Sequence, residues 1–198
     1  MFAQVIQGRT GDAVGLWNRL EEWDRSLKPG AAGFLGATSG VSDDGEFITI
    51  ARFESEEAAK TNSDRPEQGE WWAETEKLLE GEVRFYDSTE VDLMLSGGSD
   101  DAGFVQVMQG QVKDKQRLLE FEAGAQDWMQ ENRPDVIGSI RAWQGNEFSE
   151  FIYFTSEEDA RAGEKQEVPA EMGSEEEWGD IMGDMKFIDL RNPFFSSP

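Results

Sequence analysis

Without Cys or His, any catalysis by this chain must rely on carboxylates, Arg, Lys, Tyr, Trp, amides or hydroxyls, and two repeated amides are the first candidates. Gln7 lies in a short apolar run near the start of the chain, and Gln109 lies in an almost identical run in the second half. An unpaired buried amide costs about 1–3 kcal/mol, so each must bond to protein, water or a ligand. The two glutamines are therefore either structural ties or polar contacts for a bound molecule, and Gln4 and Gln106, facing the opposite way, are the alternative pair.

Three other residues in the first half belong to the candidate set. Arg52 lies in an otherwise apolar segment and needs either an acidic partner or a bound substrate. Trp72 is either a core residue or the wall of a ligand cavity. Asn62 lies ten residues earlier, in a polar loop near the predicted cavity mouth. Trp178 and Tyr153 occupy the corresponding positions of the second half, matching Trp72 and Arg52.

The chain contains no Cys and no His. The missing cysteines exclude disulfides, a thiol nucleophile and thiolate metal sites. The missing histidines exclude the usual general base, the Ser-His arrangement and haem ligation by a proximal His. The acidic runs lack calcium-loop spacing, and no nucleotide-binding glycine motif occurs. We therefore predict no metal and no cofactor.

The formal net charge is −24, from 42 acidic and 18 basic residues. Such a surface repels phosphate backbones and anionic lipid, so neither nucleic acid nor a membrane surface is a predicted partner. The acidity fits either solubility or a salty cytoplasm. No apolar stretch is long enough to cross a bilayer and no signal peptide is apparent, which predicts a cytoplasmic protein.

The two halves of the chain repeat each other at an offset of about 102 residues. Four matches occur in the same order: "FAQVIQG" at 2–8 with "FVQVMQG" at 104–110, "FLG" at 34–36 with "VIG" at 136–138, "FESEEAAK" at 53–60 with "FTSEEDAR" at 154–161, and "RFYD" at 84–87 with "KFID" at 186–189. An internal duplication explains all four.

Each half reads as β-α-β-β-α-β. In the first half the pattern predicts strands at 2–8, 33–41, 46–53 and 82–93, with helices at 12–27 and from Ser55 to about residue 80, interrupted at Pro66. In the second half it predicts strands at 103–109, 135–144, 147–155 and 185–190, with helices at 113–131, from Ser156, and from a capping box at Ser174–Glu177.

This order is the ferredoxin-like unit, an α+β fold. We predict units at 1–95 and 103–192, a linker at 96–102 and a loose tail at 193–198. One such unit leaves a sheet face uncovered, so the two units are predicted to form a dimeric α/β barrel within one chain. The chain is then either a monomeric pseudo-dimer or a homodimer.

The element order, "GFLG" at 33–36, the "F-x-S-x-E-x-A" pattern at 53–59 and a Trp in the following helix resemble the antibiotic biosynthesis monooxygenase (ABM) group. The resemblance implies a cofactor-independent monooxygenase that oxidises an aromatic small molecule. For its site we predict Gln7 as amide donor, Trp72 as wall, Arg52 as anchor and Asn62 as a secondary polar contact. Haem-degrading relatives need a His to ligate iron, which this chain lacks. The alternative is a non-catalytic barrel that binds a small apolar ligand or has a structural or stress-related role.

Overall fold

Residues 1–91 together with 190–198 form one unit, and residues 92–189 form a second. The computed structural model describes residues 1–95, 97–166 and 175–198. Each unit contains a five-stranded sheet and its own helices. The predicted α+β class with two tandem ferredoxin-like units is therefore confirmed.

The first unit follows the predicted order closely. Its elements are β1 (Phe2–Arg9), α1 (Ala13–Ser26), β2 (Phe34–Val41), β3 (Glu46–Phe53), α2 (Glu56–Ser63), α3 (Pro66–Thr75) and β4 (Glu80–Ser88), with short 3-10 turns at Lys28–Gly30 and Glu76–Leu78. Ser55 begins α2 because its side chain accepts a hydrogen bond from the Ala58 N–H. Pro66 begins α3 in the first turn, where its missing N–H costs nothing.

The second unit repeats this arrangement. Its elements are β5 (Val91–Leu95), whose first residue belongs to the first unit, then β6 (Phe104–Val112), α4 (Lys115–Asn132), β7 (Val136–Gln144), β8 (Glu147–Phe154), α5 (Glu157–Gly163), α6 (Glu175–Ile181) and β9 (Met182–Leu190). Ser156 caps α5 by accepting from the Asp159 N–H. The predicted capping box before α6 begins at Ser174, outside the described residues.

The strand predicted at 82–93 is two strands that belong to different sheets. β4 ends at Ser88, whose hydroxyl donates to the Glu90 carbonyl at 2.8 Å and accepts from the Glu90 N–H at 3.1 Å. This turn separates β4 from β5, which lies beside β7 in the second sheet. The strand order there is β5-β7-β8-β6-β9.

The residues predicted as a loose tail form the last strand of the first unit. β10 (Phe194–Ser196) pairs with β2, with Phe194 opposite Ser39 and Ser196 opposite Ala37. The Phe194 ring meets the Trp17 ring edge-on, with 5.2 Å between centroids. The first sheet therefore has the order β10-β2-β3-β1-β4.

A glycine lies where the edge strand β10 meets β2 in the first sheet, and another lies where the edge strand β5 meets β7 in the second. The register of β2 and of β7 shifts just before Gly36 and Gly138 respectively. A side chain at Gly138 would overlap the carbonyl oxygen of Gly97, and one at Gly36 would lie 3.2 Å from the Ser196 carbonyl oxygen at a φ of 127°. The glycine shared by "FLG" and "VIG" therefore permits close backbone approach.

Candidate functional site

The first unit has a cavity of about 100 Å³, partly open to solvent, between its sheet and its helices. Strands β1, β2, β3 and β10 contribute one side, and α1, α2 and α3 contribute the other. The lining residues are Gln4, Ile6, Leu20, Trp23, Phe34, Ala37, Ser39, Phe47, Thr49, Ala51, Phe53, Ala59, Asn62, Ser63, Gln68, Trp71, Trp72, Thr75, Phe194 and Ser196.

Small side chains on the sheet create much of this space. Ser39 lies opposite Thr49, and Ala37 lies opposite Ala51, on the β2–β3 ladder. The Ser39 and Thr49 hydroxyls hydrogen-bond to each other at 2.7 Å. Because these four side chains are short, and the two hydroxyls are hydrogen-bonded to each other, they leave space between the sheet and the helices; we call this surface the cavity floor.

Aromatic rings form the walls. The Trp23 indole N–H donates to Gln68 Oε1 at 2.7 Å, and the Trp71 indole N–H donates to the Arg19 carbonyl at 2.9 Å. Trp72 packs edge-on against Phe85 with 5.2 Å between ring centroids. The hydrogen bonds fix the Trp23 and Trp71 rings and satisfy their polar atoms, so the walls are predominantly apolar surface.

Asn62 is buried, and its amide orientation follows from its partner. Its Oδ1 accepts from Arg65 Nη1 at 2.9 Å, and a guanidinium group only donates hydrogen bonds. The other end of the amide is therefore Nδ2, which makes no hydrogen bond to any described residue. Asn62 thus provides the cavity with a donor that the described protein groups do not use.

Gln4 and Gln68 are oriented by the same reasoning. Gln4 Nε2 donates to Asp87 Oδ1 at 2.9 Å, which leaves Gln4 Oε1 as an acceptor. Gln68 Oε1 accepts the Trp23 indole N–H, which leaves Gln68 Nε2 as a donor. Neither remaining end bonds to another described residue. The cavity therefore combines apolar walls with a few oriented polar atoms, as small-molecule sites do.

Every described residue that lines the cavity is uncharged. The nearby charges bond to lining residues instead, as Arg65 does to Asn62 and Asp87 does to Gln4. Asp24 accepts from the Ser196 hydroxyl at 2.5 Å. Burial raises the pKa of Asp24, but the hydrogen bonds from Ser196 and Lys28 outweigh it and hold that pKa below its usual value. The arrangement suits a neutral ligand.

Two of the first-half candidates, Trp72 and Asn62, line this cavity, and two do not. Gln7 lies on the opposite sheet face, because alternate residues of a strand face opposite sides, and its Nε2 donates to Glu46. Arg52 lies on the face of Gln7 and donates to the Leu35 carbonyl at 3.4 Å. The alternative glutamine, Gln4, is the one that reaches the cavity.

The second-half counterparts have structural contacts. Gln109 Nε2 donates to the Ser149 hydroxyl at 2.8 Å. Trp178 packs edge-on against Phe121, with 4.4 Å between centroids, beside a buried apolar cluster. Tyr153 is fully buried. Gln109 and Trp178 therefore have protein partners within the second unit.

Ser39, Thr49, Trp71 and Gln68 were not among the sequence candidates, although all line the cavity. One signal was available for Thr49: on β3, small Thr49 and Ala51 alternate with bulky Ile48 and Ile50. Such a strand has one face with room above it. Among the described residues, no group of three or more Asp and Glu side chains could hold a metal ion. In the same part of the chain, no helix is long and apolar enough to cross a membrane.

Solved structures share this fold along the whole chain. A candidate monooxygenase from Lactobacillus acidophilus is 14% identical, with a TM-score of 0.76, over 99% of this chain and 95% of that chain. A candidate monooxygenase from Fusobacterium nucleatum is 10% identical, with a TM-score of 0.79, over 99% and 94%. An anthrone oxidase-like protein is 12% identical, with a TM-score of 0.63, over 100% and 94%.

No protein-family profile matches the chain, and no curated protein sequence does. The structural similarity therefore confirms the resemblance to the ABM group at the level of the fold: two ferredoxin-like units in one chain.

Proposed function

We propose that the first unit binds a small neutral aromatic molecule and oxidises it with dioxygen, without a bound cofactor. The observation that carries the proposal is the lining of the cavity, where aromatic rings and oriented amides occur together and every described side chain is uncharged. The fold shared with candidate monooxygenases and with an anthrone oxidase-like protein supports the reaction class.

The volume of the cavity limits how many rings of a substrate it can enclose. An apolar cavity of about 150 Å³ holds benzene, and this cavity measures about 100 Å³. It therefore encloses one ring, and the remaining rings of a fused system such as anthrone would extend through the opening. Trp71 and Trp72 would contact the ring, and Asn62 Nδ2 and Gln68 Nε2 would donate to its oxygen substituent.

The reaction needs a substrate that ionises by itself, because none of the described lining side chains can serve as a base. Loss of a C–H proton to solvent gives an enolate, whose oxygen the amide donors stabilise. The enolate carbon donates an electron pair to dioxygen, a C–O bond forms, and protonation gives a hydroperoxide. Loss of a second C–H proton and cleavage of the O–O bond then release water, so a CH2 group and O2 become a carbonyl group and water.

The alternative is binding without catalysis. The absence of an ionisable side chain among the described lining residues favours it, since most enzymes position an acid or a base at the reacting atoms. The two functions share the cavity and differ only in whether dioxygen is consumed.

Oxygen uptake with anthrone, followed together with anthraquinone formation, tests the proposal. We expect one O2 consumed per quinone formed, at a rate well above autoxidation. Ala51 on the sheet side of the cavity corresponds to Ile152 in the second unit. Ala51→Ile therefore introduces a larger side chain into the cavity and should reduce the rate at least tenfold. Ala73→Ile, the same change at an exposed position on α3, should leave the rate unchanged.

A rate of anthrone oxidation that does not depend on the amount of protein would contradict catalysis. If the protein does not accelerate anthrone oxidation but binds phenol, and Ala51→Ile weakens that binding at least tenfold, then the binding function is correct and the oxygenase function is wrong.

A further inference from the structure

Three positions on the cavity side of the first unit have exact counterparts in the second. Ser39 lies opposite Thr49 in the first sheet, and Arg141 lies opposite Glu150 in the second. Asp12 caps α1 and Asp114 caps α4, so residues eight positions further on, Leu20 and Glu122, also correspond.

These three positions differ completely in chemistry between the units. In the first unit they are Leu20, Ser39 and Thr49, and all three line the cavity. In the second unit they are Glu122, Arg141 and Glu150, which form an ion triad. Two short hydroxyl side chains on the floor are thus replaced by a long cation and a carboxylate.

The ion triad joins the second sheet to its helix. Arg141 Nη1 donates to Glu122 on α4 at 2.9 Å, and Arg141 Nε donates to Glu150 on β8 at 2.9 Å. Glu150 also accepts from the Ser139 hydroxyl at 2.7 Å. Arg141 is 5% exposed and Glu150 is 2% exposed. The guanidinium group therefore lies between sheet and helix, in the layer that corresponds to the cavity of the first unit.

A neutral ring cannot replace these groups. Entry would separate the buried Arg141–Glu150 pair, and both of these charges would then lack their partner in a site with little water. Arg141 is also held beside the rings of Trp143 and Phe148, at 5.2 and 5.6 Å from their centroids. The triad fills the layer at these three positions. A cavity of about 120 Å³ in the second unit, among Met94, Met129 and the charged Arg133, does not include them.

We propose that the residues at these three positions decide which unit accepts the aromatic ligand. The chain then binds one molecule, in the first unit, and the second unit serves as scaffold. This inference rests on the proposed function only in assuming that the first-unit cavity binds a neutral ring.

Equilibrium dialysis with radiolabelled phenol, using the full chain, tests the inference by counting bound molecules. Wild type should bind one molecule per chain. The triple variant Glu122→Leu, Arg141→Ser, Glu150→Thr introduces the first-unit residues into the second unit and should bind two. The converse variant Leu20→Glu, Ser39→Arg, Thr49→Glu should bind none. Ala51→Ile, a single change with less risk of misfolding, should weaken binding at least tenfold.

Glu122→Gln is the matched control, because it changes charge but keeps the volume of the triad; it should still bind one molecule. Wild type binding two molecules, or the second-unit triple variant folding with only one, would overturn the inference. Binding of one phenol without oxygen consumption would refute the oxygenase function and leave the inference standing.

Discussion

The Arg65 guanidinium donates to the amide oxygen of Asn62 at 2.9 Å and thereby determines which end of that amide is available to a ligand. Arg65 Nη1 also donates to the Leu27 carbonyl at 3.1 Å, and Arg65 pairs with Glu67 at 2.9 Å. The guanidinium is therefore held by the end of α1 and by α3 together, and Asn62 is positioned by the unit as a whole.

Replacing Asn62 by Ala should weaken phenol binding by roughly two- to tenfold, because the ligand loses one hydrogen bond worth about 0.5–1.5 kcal/mol. Arg65 keeps its other partners, so the fold should persist. Asn18→Ala, at an exposed position on α1, is the control and should bind phenol like wild type. Equal phenol affinity of the Asn62 variant and wild type would show that Asn62 does not hydrogen-bond to the ligand.

The hydrogen bond between Ser196 and Asp24 should make the attachment of β10 sensitive to acid. The pKa of Asp24 in the folded protein lies below the ordinary value of 3.8. Its ionised form therefore stabilises the fold above pH 3.8, and this contribution is lost as the pH falls through the lower folded value.

The thermal midpoint of wild type should consequently fall more steeply than that of Asp24→Asn as the pH falls below 3.8. Asp127→Asn changes an exposed carboxylate on α4 and should follow wild type. Parallel pH profiles for wild type and Asp24→Asn would show that this hydrogen bond contributes nothing to the fold.

Removing only the cation of the buried triad should destabilise the second unit. Arg141→Met leaves Glu150 buried without its ion partner, at a cost of about 3–5 kcal/mol. The flanking glutamates raise the pKa of Arg141 despite its burial, so the guanidinium is charged at every accessible pH. Replacing the whole triad by apolar residues, as Glu122→Leu, Arg141→Met, Glu150→Leu, should be nearly neutral or stabilising.

Urea unfolding of both variants measures the difference. If the single and the triple replacement lose the same free energy, then the cost comes from packing around position 141 and not from an unpaired charge.

Replacing Gly138 by Ala and replacing Gly124 by Ala should have opposite effects on stability. Gly138→Ala places a methyl group on the Gly97 carbonyl oxygen and should detach β5 from β7, with lowered stability. Gly124 lies within α4 with open space around it, so Gly124→Ala should stabilise by up to about 1 kcal/mol. Thermal unfolding of the two variants checks this, and a stable Gly138→Ala protein with unchanged β5 amide exchange would contradict the close approach.

Much of each unit follows from sequence alone. The Ser55 and Ser156 caps, the Asp-Gly turn before β3 and the repeated strings are local signals, and local backbone preferences act on them directly. The internal repeat then fixes the element order twice, which identifies the ferredoxin-like unit. The absence of Cys and His likewise excludes whole classes of site on composition alone, because no fold can supply a thiolate or an imidazole that the chain lacks.

Tertiary structure alone decided which residues meet at the cavity. Strand side chains alternate between faces, so the choice between Gln4 and Gln7 depends on which sheet face the helices cover, and that is not a local property. The pairing of β10 with β2 is likewise a contact between distant parts of the chain. The same holds for the ion triad: Glu122, Arg141 and Glu150 come from three separate elements, and only folding brings them together to fill the layer left open in the first unit.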